Sequence, residues 1–187
     1  MDQFNYLAVL ISIILGLGIT QLLTGAGRLI NLRARVRWYL PVPVWLVVLL
    51  LIHVLTWWTM FGLRTHGDWT FAGFLVTLLQ PIVLYLITAL LVPELPAEGP
   101  IDLRVSYYAH ARWLFSLLLT LLVASFVRPY ALGDSRPMDA DAATHGVLFV
   151  LGVIGLTTRA PRYHELVSLV NLVIIVAYIA LLFARLH

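Results

Sequence analysis

Six long apolar stretches, separated by short polar breaks, constrain this chain more than any other feature. They run over residues 4–27, 40–63, 70–92, 106–128, 143–158 and 163–184. A membrane-spanning helix needs about 20 apolar residues at a rise of about 1.5 Å each. The stretch over 143–158 is short. It either crosses nearly upright or re-enters. The runs are continuous rather than alternating, and lipid offers no partner to an open backbone group. Helices are therefore required over strands.

Composition removes the soluble alternative. Of the 187 residues, 61% are hydrophobic and 11% charged, and the mean hydropathy is +0.96. A soluble globule this small has too much surface for its volume to hide so much apolar area. A disordered chain would be polar instead. The expected fold is all-α and polytopic: one transmembrane domain of six helices in a compact bundle, with no soluble domain. The first stretch is too long, and lacks the basic start, for a cleaved signal peptide.

The breaks carry recognisable stop signals. Arg33, Arg35 and Arg37 close the first hairpin, and Pro41 and Pro43 open the second span. Gly67 and Asp68 mark the next turn, and Pro93, Pro96 and Pro100 end the third span because proline cannot continue a helix. Gly133, Pro137 and the run 134–141 form the longest loop, and Arg159 to Arg162 make the last tight turn.

Arginine placement sets the expected orientation. Arg28, Arg33, Arg35, Arg37, Arg104, Arg112, Arg159 and Arg162 flank the odd-numbered loops, against Arg64, Arg128, Arg136 and Arg185 on the other side. The odd loops are therefore expected in the cytoplasm and both termini outside. All 12 basic residues are arginine. Arginine without lysine suggests a GC-rich coding genome, and with it a bacterial inner membrane.

Several chemistries are excluded outright. There is no cysteine, hence no disulfide, thiolate zinc, iron–sulfur ligand or cysteine nucleophile. Without lysine there is no Schiff base and no Walker A loop. No acidic residue falls deep in an apolar stretch, so a carboxylate proton relay of the kind common in pumps is not expected. His164 and Glu165 begin a zinc-protease pattern, but Ser168 stands where its second histidine belongs. Asp134, Asp139, Asp141 and His145 lack the glycine and terminal glutamate of an EF-hand. No metal and no cofactor is expected.

Three constellations remain. The first span carries Ser12, Gly16, Thr20 and Thr24 at steps of four, with Gly18, Gly25 and Gln21 on an adjoining stripe. Such spacing lets helices approach closely in lipid, within one chain, between subunits or along a pore. Near the middle of their spans stand His53, Gln80 beside Pro81, Tyr85 and Asn171. With Gln21 these could converge on a polar cavity or pore, or each could bond locally. His53 is also a potential haem ligand, but no other histidine matches its depth. Finally, Arg37, His110, Arg112, Arg162 and His164 form a rim suited to anionic phospholipid headgroups.

The leading functional expectation is a homo-oligomeric channel or facilitator in the lipid bilayer without a carboxylate relay. The alternative is a membrane-embedded binding or scaffold subunit that holds anionic lipid or a helical partner. An enzyme acting on lipid headgroups would have only His110, His164 and Glu165 as acid–base groups. Nucleic acid is not an expected partner, because a net charge of +3 is small and the arginines lie against a membrane.

Overall fold

The structure, a computed structural model, describes residues 3–67, 69–93, 96, 98–133 and 140–184. Six helices account for nearly all of them: α1 (Gln3–Asn31), α2 (Pro41–Met60), α3 (Phe71–Leu91), α4 (Leu103–Ala131), α5 (Ala140–Thr157) and α6 (Pro161–Ala184). Five are long and apolar enough to cross a membrane. The chain is thus an all-α, multi-pass bundle of the membrane-protein class. α5 is the exception. Its 18 residues reach about 27 Å at 1.5 Å per residue, slightly short of the ~30 Å hydrocarbon core.

Local signals set the helix starts. Pro41 stands at the first turn of α2, where its missing N–H costs nothing. The Thr70 hydroxyl accepts from the Gly73 amide to cap α3, and the Asp102 carboxylate accepts from the Arg104 and Val105 amides to cap α4. α3 continues through Pro81.

Two short strands, β1 (Val36–Arg37) and β2 (Ile101–Asp102), pair in parallel with Val36 opposite Ile101. They tie the α1–α2 connection to the α3–α4 connection. Arg35 reinforces the tie, its Nε donating to the Gly99 carbonyl at 2.9 Å and its Nη2 to the Pro96 carbonyl at 3.0 Å. The bridge gives the bundle a bridge end, where α2, α4 and α6 begin. At the opposite, far end, α3 and α5 begin and α4 finishes. Arg37 sits 3.9 Å from Asp102 across the bridge, the arginine largely in solvent and the aspartate partly so.

α1 packs on α2 and α3, α2 on α6, and α4 on α3 and α5. The buried face of α1 is Leu7, Ile11, Leu15, Gly18, Leu22, Gly25 and Leu29. From Ile11 onward these alternate steps of four and three, the spacing of a coiled-coil seam. Gly18 and Gly25 therefore serve contacts within the chain. A methyl at Gly18 would collide with the His53 ring, and one at Gly25 with Val92. Ser12, Gly16, Thr20 and Thr24 lie off this seam and are exposed. One sequence pattern thus divides into two faces with opposite surroundings.

Candidate functional site

A cavity of about 190 Å³ opens in the far half of the bundle, walled by α2, α3, α4, α5 and α6. Grooves on the surface of α1 are larger, one of about 730 Å³ against Trp57 and Trp58, but their walls are mostly apolar. The far-half cavity differs in holding converging polar groups. Arg128 of α4 donates through Nη1 to Gln80 Oε1 of α3 at 3.0 Å. Ser125 of α4 and His145 of α5 meet at 3.3 Å between Oγ and Nε2. Thr56 and Thr59 of α2, Thr144 of α5 and Tyr178 of α6 complete the polar part of the wall. The rest is Leu and Ile.

Helix periodicity explains why these groups share a face. Thr56 and Thr59 stand three apart on α2, as do Ser125 and Arg128 on α4, and such pairs project from one side. The guanidinium is long enough to reach inward from near the end of α4 to mid-membrane Gln80. An arginine at that depth is costly unless it is hydrogen-bonded, and Gln80 supplies one acceptor.

Of the two readings of the five mid-span polar residues, convergence and local bonding, the structure does not gather all five at the cavity. Of Gln21, His53, Gln80, Tyr85 and Asn171, only Gln80 lines the cavity. The Asn171 amide donates to the Val167 carbonyl of its own helix at 2.8 Å. His53 is fully buried, and its Nδ1 donates to the Leu49 carbonyl at 2.7 Å. That bond fixes the Nδ1–H tautomer. Nε2 is left as an acceptor with no partner among the described residues, directly against Gly18. The close approach leaves no space at Nε2 for a metal or haem iron.

The lipid rim also needs one correction. Arg37, His110, Arg112 and Arg162 are exposed, but His164 is fully buried. It sits at the bridge end among the rings of Tyr107, Tyr108, Phe115 and Tyr163, with centroids 5.2–5.7 Å away. Its Nε2 donates to the Thr158 carbonyl at 3.1 Å, and its Nδ1 lies 3.1 Å from the Tyr107 hydroxyl. Both ring nitrogens are thereby occupied, so His164 is closed to a headgroup and to proton transfer with a substrate. Tyr39 extends the cluster, its hydroxyl 3.0 Å from that of Tyr108. Burial first, and then the Tyr108 hydrogen bond, push the Tyr39 phenol well above its ordinary value. It stays protonated and the bond persists at any physiological pH.

Sequence reasoning did not bring Arg128, Ser125, His145, Thr56 and Thr59 together as one site. For four of them the available signal was i, i+3 spacing, Thr56 with Thr59 and Ser125 with Arg128; His145 carried no such signal. Asp134 and Asp139, read with His145 as a loop cluster, lie outside the described residues, as does the side chain of Asp141. Arg136 and Arg185 of the topology argument also lie outside them. Among the described residues no group of three or more His, Asp or Glu could hold a metal ion.

No protein-family model, curated protein or solved structure matches this chain. The geometry of the site alone carries the functional reading.

Proposed function

We propose that the chain is a membrane-embedded binding module that admits one small ligand to the far-half cavity and does not conduct it across. The carrying observation is the contrast along the bundle axis. Beyond the cavity, toward the bridge end, the interior is filled by Leu49, Leu84, Ile87, Phe115 and His164, none more than 1% exposed. Protein interiors pack as densely as organic crystals, so a path through this plug would require separating helices. In this reading the bridge end, which carries Arg28, Arg33, Arg35, Arg37, Arg104, Arg112, Arg159 and Arg162, faces the cytoplasm of a bacterial inner membrane, an orientation that the positive-inside rule favours. The exposed Arg37, Arg112, Arg162 and His110 then face anionic headgroups. Reversing Arg112 and Arg162 to Glu is expected to lower the anionic lipid that copurifies.

A native mass spectrum of protein released from mild detergent tests the binding reading. Wild type is expected to carry a defined extra mass, and Ile174→Trp, which fills the cavity wall, to lose it. Bare wild-type protein, or unchanged occupancy in the variant, would overturn the reading.

A second reading, a homo-oligomeric channel or facilitator, is favoured by one observation. The Ser12, Gly16, Thr20 and Thr24 stripe is exposed on α1, where a second copy could approach closely. The chain has no cysteine, so a single Gly16→Cys or Thr20→Cys change gives a clean cross-linking test. Efficient disulfide-linked dimers in membranes, with solute flux in liposomes, would favour this second reading over the first.

A further inference from the structure

The groove of about 730 Å³ between α1 and α2 belongs to the far end. α1 leads into the bridge and α2 leads out of it, so α1 begins and α2 finishes at the far end. Phe4, Ala8 and Ser12 stand at steps of four along α1 and form one wall, and Trp57, Trp58 and Phe61 form the other. From Phe4 to Ser12 the helix advances about 12 Å at 1.5 Å per residue. One leaflet supplies about 15 Å of hydrocarbon, half of the ~30 Å core. The groove is therefore about one leaflet deep. That length suits one acyl chain and is too short to seat the membrane-spanning helix of a second copy.

Polarity changes along the groove. At its deep end Trp57 Nε1 donates to Ser12 Oγ at 3.4 Å, and the Thr59 hydroxyl donates to the Thr56 carbonyl at 3.0 Å. Those donors are spent, and the remaining wall is apolar. The mouth carries a cation. Arg64 lies three residues beyond Phe61 in the 3-10 turn Phe61–Thr65 and lays its guanidinium over the Phe61 ring, 3.9 Å from the centroid. Stacking occupies the flat face of the guanidinium and leaves its in-plane N–H donors pointing outward. Arg64 is exposed, and no carboxylate or carbonyl among the described residues engages it. No Asp or Glu among the described lining residues offers a partner to a cationic headgroup such as choline. The indoles of Trp57 and Trp58 are residues of the kind that anchor at a membrane–water interface. From the mouth inward the order is cation, aromatic rings, apolar floor. A phospholipid runs in the matching order from phosphate to chain.

We infer that this groove binds one anionic phospholipid of the far-end leaflet, an acyl chain along Ala8 and Trp57 and the phosphate head at Arg64. The site shares only Thr59 with the far-half cavity and does not depend on the binding-module reading. It also lies in the opposite leaflet from the arginine rim of the bridge end.

Quenching of tryptophan fluorescence by lipids brominated on their chains tests this, with the full chain in nanodiscs of unbrominated phosphatidylcholine. Trp38→Phe and Trp113→Phe together remove the exposed indoles of the bridge end, so contact quenching reports on Trp57 and Trp58. Brominated phosphatidylglycerol is expected to reach half-quenching at about one-fifth the mole fraction that brominated phosphatidylcholine needs, the preference one juxtamembrane arginine supplies. Arg64→Gln is expected to bring the two lipids to the same midpoint, while unchanged quenching by phosphatidylcholine reports that the variant remains folded. Ala8→Phe, which fills the floor, is expected to abolish the preference with Arg64 intact. Equal midpoints in the parent protein would overturn the anionic assignment. A fivefold preference that survives Arg64→Gln would overturn the placement of the head, and one that survives Ala8→Phe would overturn the groove as the seat of the chain. Quenching by neither lipid would mean that another protein surface covers the groove, and would overturn the inference.

Discussion

The two ends of this bundle solve the same problem in opposite ways. Each must bury polar groups in a low-dielectric interior. At the bridge end they satisfy one another: His164 bonds Tyr107 and Thr158, Tyr39 meets Tyr108, and Tyr163 donates to the Leu151 carbonyl. Rings fill the remaining volume. At the far end Arg128 meets Gln80 and Ser125 meets His145, and the polar groups surround about 190 Å³ of space. Tight packing at one end and unfilled polar volume at the other is the distribution expected of a rigid support carrying a binding site.

Substitutions should separate the ends by stability, measured by reversible unfolding in mixed micelles. The largest effect is expected from Phe115→Ala. This ring is 1% exposed and packs edge-on against Trp45 and His164, and deleting it should cost about 3–5 kcal/mol. His164→Leu should cost about 2–4 kcal/mol, because it strands the Tyr107 hydroxyl and the Thr158 carbonyl together. A loss below about 1 kcal/mol would show that water reaches this cluster.

Added volume gives a sharper contrast. Gly155 of α5 lies so close to Phe115 that a methyl there would overlap the ring. Gly155→Ala should therefore cost about 1–3 kcal/mol. Ile174→Trp adds far more volume but does so at the cavity wall, and should cost less than Gly155→Ala. The reverse order would mean that the cavity is absent in the membrane. The smallest pair lies at the bridge. Arg35→Ala should cost about 1 kcal/mol for two hydrogen bonds to carbonyls. Arg37→Ala should cost less than about 0.5 kcal/mol, since its ion pair is long and solvated.

Much of the fold was legible because apolar run length and proline placement act locally. The expected spans 40–63 and 70–92 became α2 and α3 at Pro41–Met60 and Phe71–Leu91. α1 and α4 run longer than expected, to Asn31 and from Leu103 to Ala131, because their polar ends continue the helix beyond the apolar part. Asp102 starts α4 earlier than hydropathy suggests, since a cap acts through hydrogen bonding.

The site was less legible because it depends on rotation of each helix about its axis. Gly18 and Ser12 are both small residues on α1, yet one is sealed against His53 and the other is exposed. Only the whole seam from Leu7 to Leu29 decides between them. Arg35 and Arg37 look equivalent as juxtamembrane charges, but Arg35 holds two loop carbonyls while Arg37 extends into solvent. Arg128 was read as a charge for topology. Its reach to Gln80, 48 residues away in the chain, follows from the packing of α3 on α4.

The most direct test is thiol accessibility in this cysteine-free chain. Single cysteines would be placed at Ser125, in the cavity wall, and at Ser168, fully buried on α6 toward the bridge end. Sealed membranes would then be treated from each side with a membrane-impermeant thiol reagent. A one-ended cavity requires Ser125→Cys to react from the far-end side alone and Ser168→Cys to react from neither. Labelling of Ser125→Cys from the bridge side, or of Ser168→Cys from either side, would reveal a path through the plug and contradict the binding-module reading.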